Sequence, residues 1–132
     1  MGRNRTFIEA DIVAQCAEVF RSGGYEGTSI DDLVVATGLH RGSLYKAFGS
    51  KRGLFVLALR QSAGQAIPTN DATDLLLVAL MELARRDPEI RAIAFDILSG
   101  RASEHTPQSL GERLLERALE TLTEESTTKD PA

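Results

Sequence analysis

The sequence predicts an all-α fold in which a three-helix N-terminal head is joined by a linker helix to a short C-terminal helical region. Apolar residues recur at three- and four-residue intervals, which is the spacing of an amphipathic helix. Ala, Leu, Glu and Arg favour helices and dominate the composition, and glycine or proline separates the periodic segments. We place the head at residues 1–50, the linker helix and C-terminal region at 51–125, and a disordered tail at 126–132.

The bulk composition excludes several classes of protein. The 132 residues are 42% hydrophobic and 26% charged, as expected of an ordinary globular chain. No apolar run approaches the roughly 20 residues that cross a bilayer, and a single cysteine cannot form an internal disulfide. No residue spacing suits a metal, a cofactor, a nucleophile–base pair or a phosphate loop. We therefore expect a cytoplasmic protein that is not an enzyme and has no membrane partner.

The charge is distributed unevenly along the chain, although the net charge is −4. Residues 1–61 carry eight basic and six acidic side chains, a net +2, whereas residues 62–132 carry seven and thirteen, a net −6. Local charge determines where a polyanion binds, and total charge mainly affects solubility. This polarity favours DNA binding by the first half.

The first helix is predicted to begin at Thr6, which has the spacing of a capping box with Glu9. Its apolar stripe runs from Ile8 to Phe20, and Gly23-Gly24 ends the helix. Cys16 lies on this stripe and is expected in the core. The arm before the helix is either a frayed terminus or a basic arm that contacts DNA through Arg3 or Arg5.

The stretch from Thr28 to Lys51 has the layout of a helix-turn-helix, which places one helix in the major groove of DNA. Thr28 or Ser29 caps a short helix that ends at Gly38. The second helix, Arg41 to Phe48, is the candidate recognition helix, with Leu44 and Phe48 facing inward.

The outer side of this second helix combines small, polar and basic residues. Arg41 can donate two hydrogen bonds to a guanine edge, Ser43 can contact a base or phosphate, and Tyr45 and Lys46 suit phosphates. Lys51 is expected to point past the start of the next helix and clamp a phosphate. His40 is either an exposed turn residue or a further DNA contact. The predicted DNA-binding residues are Thr28, Ser29, His40, Arg41, Gly42, Ser43, Tyr45, Lys46 and Lys51.

The run from Phe7 to Leu59 resembles the DNA-binding domain of TetR-family transcriptional regulators. The shared positions are Phe20, Gly24 and Tyr25, then Thr28 and Ser29, Gly38, then Gly42, Leu44, Tyr45 and Phe48, and finally Ser50 and Lys51. The resemblance implies an all-helical homodimeric repressor that binds a palindromic operator in double-stranded DNA and is released by a small molecule. Two positions depart from the family: Ala47, where many members have a phosphate-contacting histidine, and His40, where many have Ser or Thr.

The second half is predicted to hold three helices. Asp71 or Thr73 caps the first, which is apolar almost all round from Leu75 to Leu83 and therefore needs several neighbours or a dimer contact. Asp87-Pro88 begins the second. The third is amphipathic, with Arg113 and Arg117 on an exposed ion-paired face, and His105 lies in a solvated loop before it.

The last helix is the predicted dimer interface, together with part of Leu75–Leu83 or Ile90–Leu98. Its apolar stripe consists of Leu110, Leu114, Leu115, Ala118, Leu119 and Leu122. The short helices leave open whether a pocket for a small-molecule effector exists. A second hypothesis is an interaction module that heterodimerises with a full-length regulator and has weak or no operator binding or pocket of its own.

Overall fold

The structure is a computed structural model that describes the backbone of residues 2–65 and 69–128 and the side chains of residues 8–65 and 69–120. Within these ranges the regular structure is entirely helical, which confirms the all-α prediction. The elements are α1 (Gly2–Gly23), α2 (Ile30–Thr37), α3 (Arg41–Phe48), α4 (Lys51–Ala63), α5 (Asn70–Val78, continued by a π-helical turn at Ala79–Leu83), α6 (Pro88–Gly100) and α7 (Pro107–Thr128). None of the described helices is long and apolar enough to span a membrane.

Helix α1 begins earlier than predicted, because it starts at Gly2 and so includes Thr6 in its interior. The predicted basic arm is therefore part of the helix, and the side chains of Arg3 and Arg5 lie outside the described residues. Ile8 is 58% exposed, so the buried stripe begins at Ile12 rather than at Ile8.

One hydrophobic core runs through both halves of the chain. Its centre is a cluster of three rings, in which the centroid of Phe55 lies 5.2 Å from that of Phe20 and 5.3 Å from that of Tyr25. Leu75 and Ile90 of the C-terminal helices join the same cluster and are fully buried. The head and the C-terminal helices therefore pack as neighbours around shared apolar contacts.

Helix α5 is capped by Thr69, whose Oγ1 accepts from the Ala72 N–H at 3.1 Å, and not by Asp71 or Thr73 as predicted. Residues 75–79 are buried within this single chain, as expected for a helix that is apolar on every side. The helix then widens, because the Ala84 N–H donates to the carbonyl of Ala79, five residues back, at 2.8 Å. This π-helical turn was not predicted from the sequence.

Helices α6 and α7 complete the fold. Asp87 caps α6 by accepting the Ile90 N–H at 3.2 Å, and Pro88 is its first residue, as predicted. Helix α7 extends to Thr128, so it includes residues 126–128 of the stretch expected to be a disordered tail. His105, expected to be solvated, is partly buried in the loop before α7, and desolvation lowers its pKa.

Candidate nucleic-acid interface

The helix-turn-helix forms through local rules that act at the two ends of α2. Ser29 Oγ accepts from the Asp32 N–H at 3.1 Å, and Asp32 Oδ2 accepts from the Ser29 N–H at 2.8 Å. This capping box also lowers the pKa of Asp32. At the other end Gly38 has a φ of +74°, and its N–H donates to the Val34 carbonyl at 2.9 Å. That left-handed residue turns the chain toward α3.

Helix α3 turns its apolar side inward and its polar side outward. Leu44 is fully buried and Phe48 is partly buried against the core. His40 occupies the N-cap of α3 but makes no side-chain capping hydrogen bond, as expected of a poor capping residue. The exposed residues of α3 are Arg41, Gly42, Ser43, Tyr45, Lys46 and Ala47.

Gly42 has no role in packing within the described part of the chain. Apart from its chain neighbours and the backbone of its own helix, a Cβ atom added at this position would meet nothing within 4 Å. The absence of a side chain therefore leaves open space on the outer face of α3, where a small residue near a helix N-terminus lets a ligand approach the backbone.

Arg41 forms an ion pair with Asp31 of α2, and the hydrogen bond that its guanidinium donates to the Asp31 carboxylate raises the pKa of Arg41. Asp31 was not among the predicted DNA-binding residues. Both side chains are more than half exposed, so the pair restrains Arg41 only weakly. A guanidinium has five N–H donors, and this contact leaves others for a base edge.

Two predicted contact residues have different surroundings from those expected. The Thr28 side chain is 2% exposed and donates to the Gly24 carbonyl at 2.6 Å, so its hydroxyl does not reach the surface. Lys51 Nζ donates to the carbonyls of Tyr25 and Thr28, each at 3.1 Å, and lies 4.2 Å from the centroid of the Tyr25 ring. The ammonium group is therefore held against the α1–α2 turn (residues 24–29) and does not project beyond the start of α4.

The predicted dimer residues of α7 lie largely at the surface. Leu114, Leu115 and Leu119 are 39%, 65% and 61% exposed, Ala118 is also exposed, and Leu110 is partly buried. The Leu122 side chain lies outside the described residues. In the other two predicted segments, Met81 and Phe95 are 53% and 56% exposed.

Arg113 lies on the opposite side of α7 and is buried, which corrects the prediction that it lies on an exposed face. Arg113 is 9% exposed, and its Nε and Nη2 donate to the two carboxylate oxygens of Asp74 at 2.7 and 3.0 Å. Its Nη1 also donates to Glu120 at 3.1 Å and to Glu116 at 3.3 Å. The Asp74 contact and these neighbours raise the pKa of Arg113 above its ordinary value. This network attaches α7 to α5 by its charged side.

An open cleft of about 390 Å³ lies between α4 and α6. Its lining residues include Arg60, Ile93, Asp96 and Arg101. The Arg101 guanidinium also donates to the Gln65 carbonyl. The volume is within the range of ~300–1,000 Å³ that small-molecule sites occupy.

The described side chains contain no group of three His, Cys, Asp or Glu residues that could hold a metal ion. Glu82 was not among the predicted site residues, although its carboxylate contacts the α1–α2 turn. The sequence does contain an indication of this contact. Glu82 is the lone charged residue between Leu75 and Leu83, and a charge within an apolar helix needs a partner.

Residues 12–58, which contain α2, α3 and the turn between them, match the family model for bacterial regulatory proteins of the tetR family. The HTH-type transcriptional regulator YezE of Bacillus subtilis is 47% identical over 60 residues, or 46% of this chain and 31% of YezE. The HTH-type transcriptional repressor BdcR of Escherichia coli is 30% identical over 116 residues, or 82% of this chain and 59% of BdcR.

A third similar protein is the HTH-type transcriptional repressor AcnR of Corynebacterium efficiens, which is 33% identical over 79 residues. That alignment covers 60% of this chain and 41% of AcnR. The chain thus spans less than two thirds of the length of each of these relatives. No solved structure matches the chain significantly.

Proposed function

We propose that this chain is a DNA-binding transcriptional regulator that acts as a dimeric repressor on a palindromic operator. The proposal rests on its membership of the tetR family of bacterial regulatory proteins. The observation that carries the proposal is the exposed face of α3, which combines Arg41, Ser43, Tyr45 and Lys46 with the open space beside Gly42. A helix of this kind fits the major groove, where the other described helices of the head support it. The relatives are named as regulators and repressors, and we expect no enzymatic activity.

The residues of the interface have separate roles in this proposal. Arg41 reads a base edge, because a guanidinium can donate two hydrogen bonds to guanine. Ser43, Tyr45 and Lys46 contact bases or phosphates beside it, and Ser29 and His40 flank the groove at the starts of α2 and α3. Thr28 and Lys51 support this surface indirectly, since both bind the backbone of the α1–α2 turn.

A second copy of this chain is the proposed partner of the exposed leucines of α7. Leu114 and Leu115 lie on a helix of 22 residues, which is about 33 Å long at ~1.5 Å per residue. Pairing of this face with its equivalent in a second copy would remove a contiguous apolar stripe from water and create a two-fold axis. A two-fold dimer presents its α3 helices to half-sites about 34–36 Å apart or a multiple of that spacing, and so requires a palindromic operator.

A small-molecule effector would have a site in the cleft between α4 and α6. The cleft adjoins α4, the helix that connects the head to the C-terminal region. A molecule bound against Ile93 and Arg60 would therefore touch both halves of the chain. We propose this cleft as the candidate effector-binding site of the regulator.

The proposal is tested by selecting duplexes that the protein retains from a random DNA pool and measuring their affinity as a function of salt. We expect a palindromic consensus. Lys46→Gln should weaken binding to all duplexes and reduce the salt slope by about one unit, because one phosphate contact is lost. Arg91→Gln, at an exposed position of α6, is the control with the same charge change. Failure to enrich any sequence, or equal salt slopes for the Lys46 and Arg91 variants, would contradict the assignment of α3.

A further inference from the structure

Glu82 connects the C-terminal half of the chain to the turn between α1 and α2. Its two carboxylate oxygens accept from the N–H groups of Tyr25 and Glu26, each at 3.0 Å. The partners are 57 and 56 residues apart in sequence. Hydrogen bonds from backbone N–H groups to a carboxylate are charge-assisted and stronger than neutral ones. Glu82 therefore fixes the position of a turn that belongs to the head.

Lys51 binds carbonyl groups of the same turn. Its ammonium binds the carbonyls of Tyr25 and Thr28, while Glu82 binds the N–H groups of Tyr25 and Glu26. Gly24 makes the close approach of Glu82 possible, because a Cβ atom there would lie 2.7 Å from Glu82 Oε2. The turn is thus held by two oppositely charged side chains, one from the start of α4 and one from the π-helical turn.

Two further ion pairs join the stretch after Glu82 to the head and α4. Arg86 pairs with Glu26 beside the turn. Asp87 accepts two hydrogen bonds from Arg52 of α4, at 2.7 and 2.9 Å, and this contact lowers the pKa of Asp87 to about 2. Glu82, Arg86 and Asp87 all follow or lie within the π-helical turn, and such turns are frequent at functional sites. The geometry of the π-helical turn therefore determines where these three residues make their contacts to the first half of the chain.

We propose that Glu82 is a positioning residue for DNA binding, which holds the Tyr25–Thr28 turn so that α2 and α3 have the orientation needed in the groove. The turn leads directly into Ser29, the N-cap of α2, and α2 carries Asp31, the partner of Arg41. A shift of the Tyr25–Thr28 turn would therefore move α2 and, through the pair of Asp31 with Arg41, affect α3. The inference rests on the proposed function, because a positioning residue needs a DNA-binding surface to position.

The test compares Glu82→Ala and Glu82→Gln with the wild-type chain in amide hydrogen exchange and in DNA binding. Glu112→Gln, an exposed residue of α7, is the control for loss of one negative charge. Glu82→Ala should accelerate exchange at the Tyr25 and Glu26 amides and weaken binding to a selected duplex by roughly tenfold while the protein stays folded. Glu82→Gln keeps one amide oxygen as an acceptor, so both effects should be intermediate. The control should match the wild type in both measurements.

The outcomes separate this inference from the proposed function. If the wild type binds no duplex, the proposed function fails and the inference fails with it. If the wild type binds DNA and Glu82→Ala binds equally tightly despite faster exchange at Tyr25 and Glu26, the inference alone is overturned, because Glu82 then only stabilises the turn. If Glu82→Ala does not fold, Glu82→Gln decides between these outcomes by the same two measurements.

Discussion

Helices α3 and α7 each have one apolar and one charged side, and they orient these sides oppositely. In α3 the fully buried Leu44 faces the core, and Lys46 lies at the surface. In α7 the 9% exposed Arg113 faces the core, and Leu115 is 65% exposed. The difference arises from Asp74 of α5, which provides a buried carboxylate opposite α7. No such carboxylate lies beneath α3 among the described contacts.

The comparison shows how the environment of a helix selects the class of partner available to it. The charged side of α3 is open, and basic and polar groups are suited to a polyanion. In α7 the charge of Arg113 is neutralised inside the protein, and the exposed leucines on the outer side of the helix are suited to a protein partner. The two helices therefore serve different kinds of contact although their sequences are both amphipathic.

Removing the buried arginine should have the largest effect. Arg113→Ala leaves the carboxylate of Asp74, a residue that is 7% exposed, without its main partner. Breaking one side of a buried ion pair is strongly destabilising, and we expect a loss of about 3 kcal/mol in the free energy of unfolding, measured by urea denaturation.

Two further variants sharpen this measurement. Arg91→Ala, at an exposed position of α6, should change the unfolding free energy little. The double variant Asp74→Leu with Arg113→Met replaces the pair by apolar side chains and should recover most of the lost stability. A double variant as unstable as Arg113→Ala would mean that the pair itself, and not the uncompensated charge, determines the stability of α7.

Placing a charge on the outer side of α7 should have the next largest effect. Leu115→Glu would bury a carboxylate in the proposed dimer interface and should raise the dimer dissociation constant by about 30-fold, measured by sedimentation equilibrium. Ile8→Glu, at a residue 58% exposed on α1, is a control of similar exposure and equal charge change. A wild-type chain that sediments as a monomer at micromolar concentration would refute the assignment of this face.

Weakening the ion pair that restrains α3 should have the smallest effect. Asp31→Asn removes a negative charge beside Arg41 and releases its guanidinium. Binding to all duplexes should then tighten by roughly threefold, because exposed ion pairs are weak and phosphate attraction increases. Asp96→Asn on α6 is the matched control, and the readout is DNA affinity at two salt concentrations. Weaker binding by Asp31→Asn would instead show that Asp31 orients Arg41 for a base contact.

The parts of the structure that depend on neighbouring residues were predictable from the sequence. The capping box of Ser29 and Asp32, the left-handed Gly38 and the inward side of α3 follow from spacings of three or four residues. The Asp87 cap of α6 is equally local. These rules were sufficient for the all-α class and for the outer face of α3.

The parts that depend on distant partners were not predictable in this way. Arg113 was assigned to an exposed face because the charged residues of an amphipathic helix are expected at the surface. Its partner Asp74 is 39 residues away, so the local pattern does not indicate the contact. Lys51 was expected to extend outward because it lies at the start of a helix, but it binds the carbonyls of Tyr25 and Thr28, which are 26 and 23 residues away. The two contacts share one cause, since burial of a charge depends on what the fold places opposite it.

Cys16 provides the molecule with a natural probe of its own fluctuations. It is the single cysteine of the chain, it is fully buried at the centre of α1, and burial raises the pKa of its thiol to about 11. A thiol-specific reagent can therefore react only after the core opens and the sulfur meets water. The labelling rate reports the free energy of that opening without any engineered cysteine. Because the core of both halves is shared, one sulfur atom reports on the opening of the head and of the C-terminal helices together.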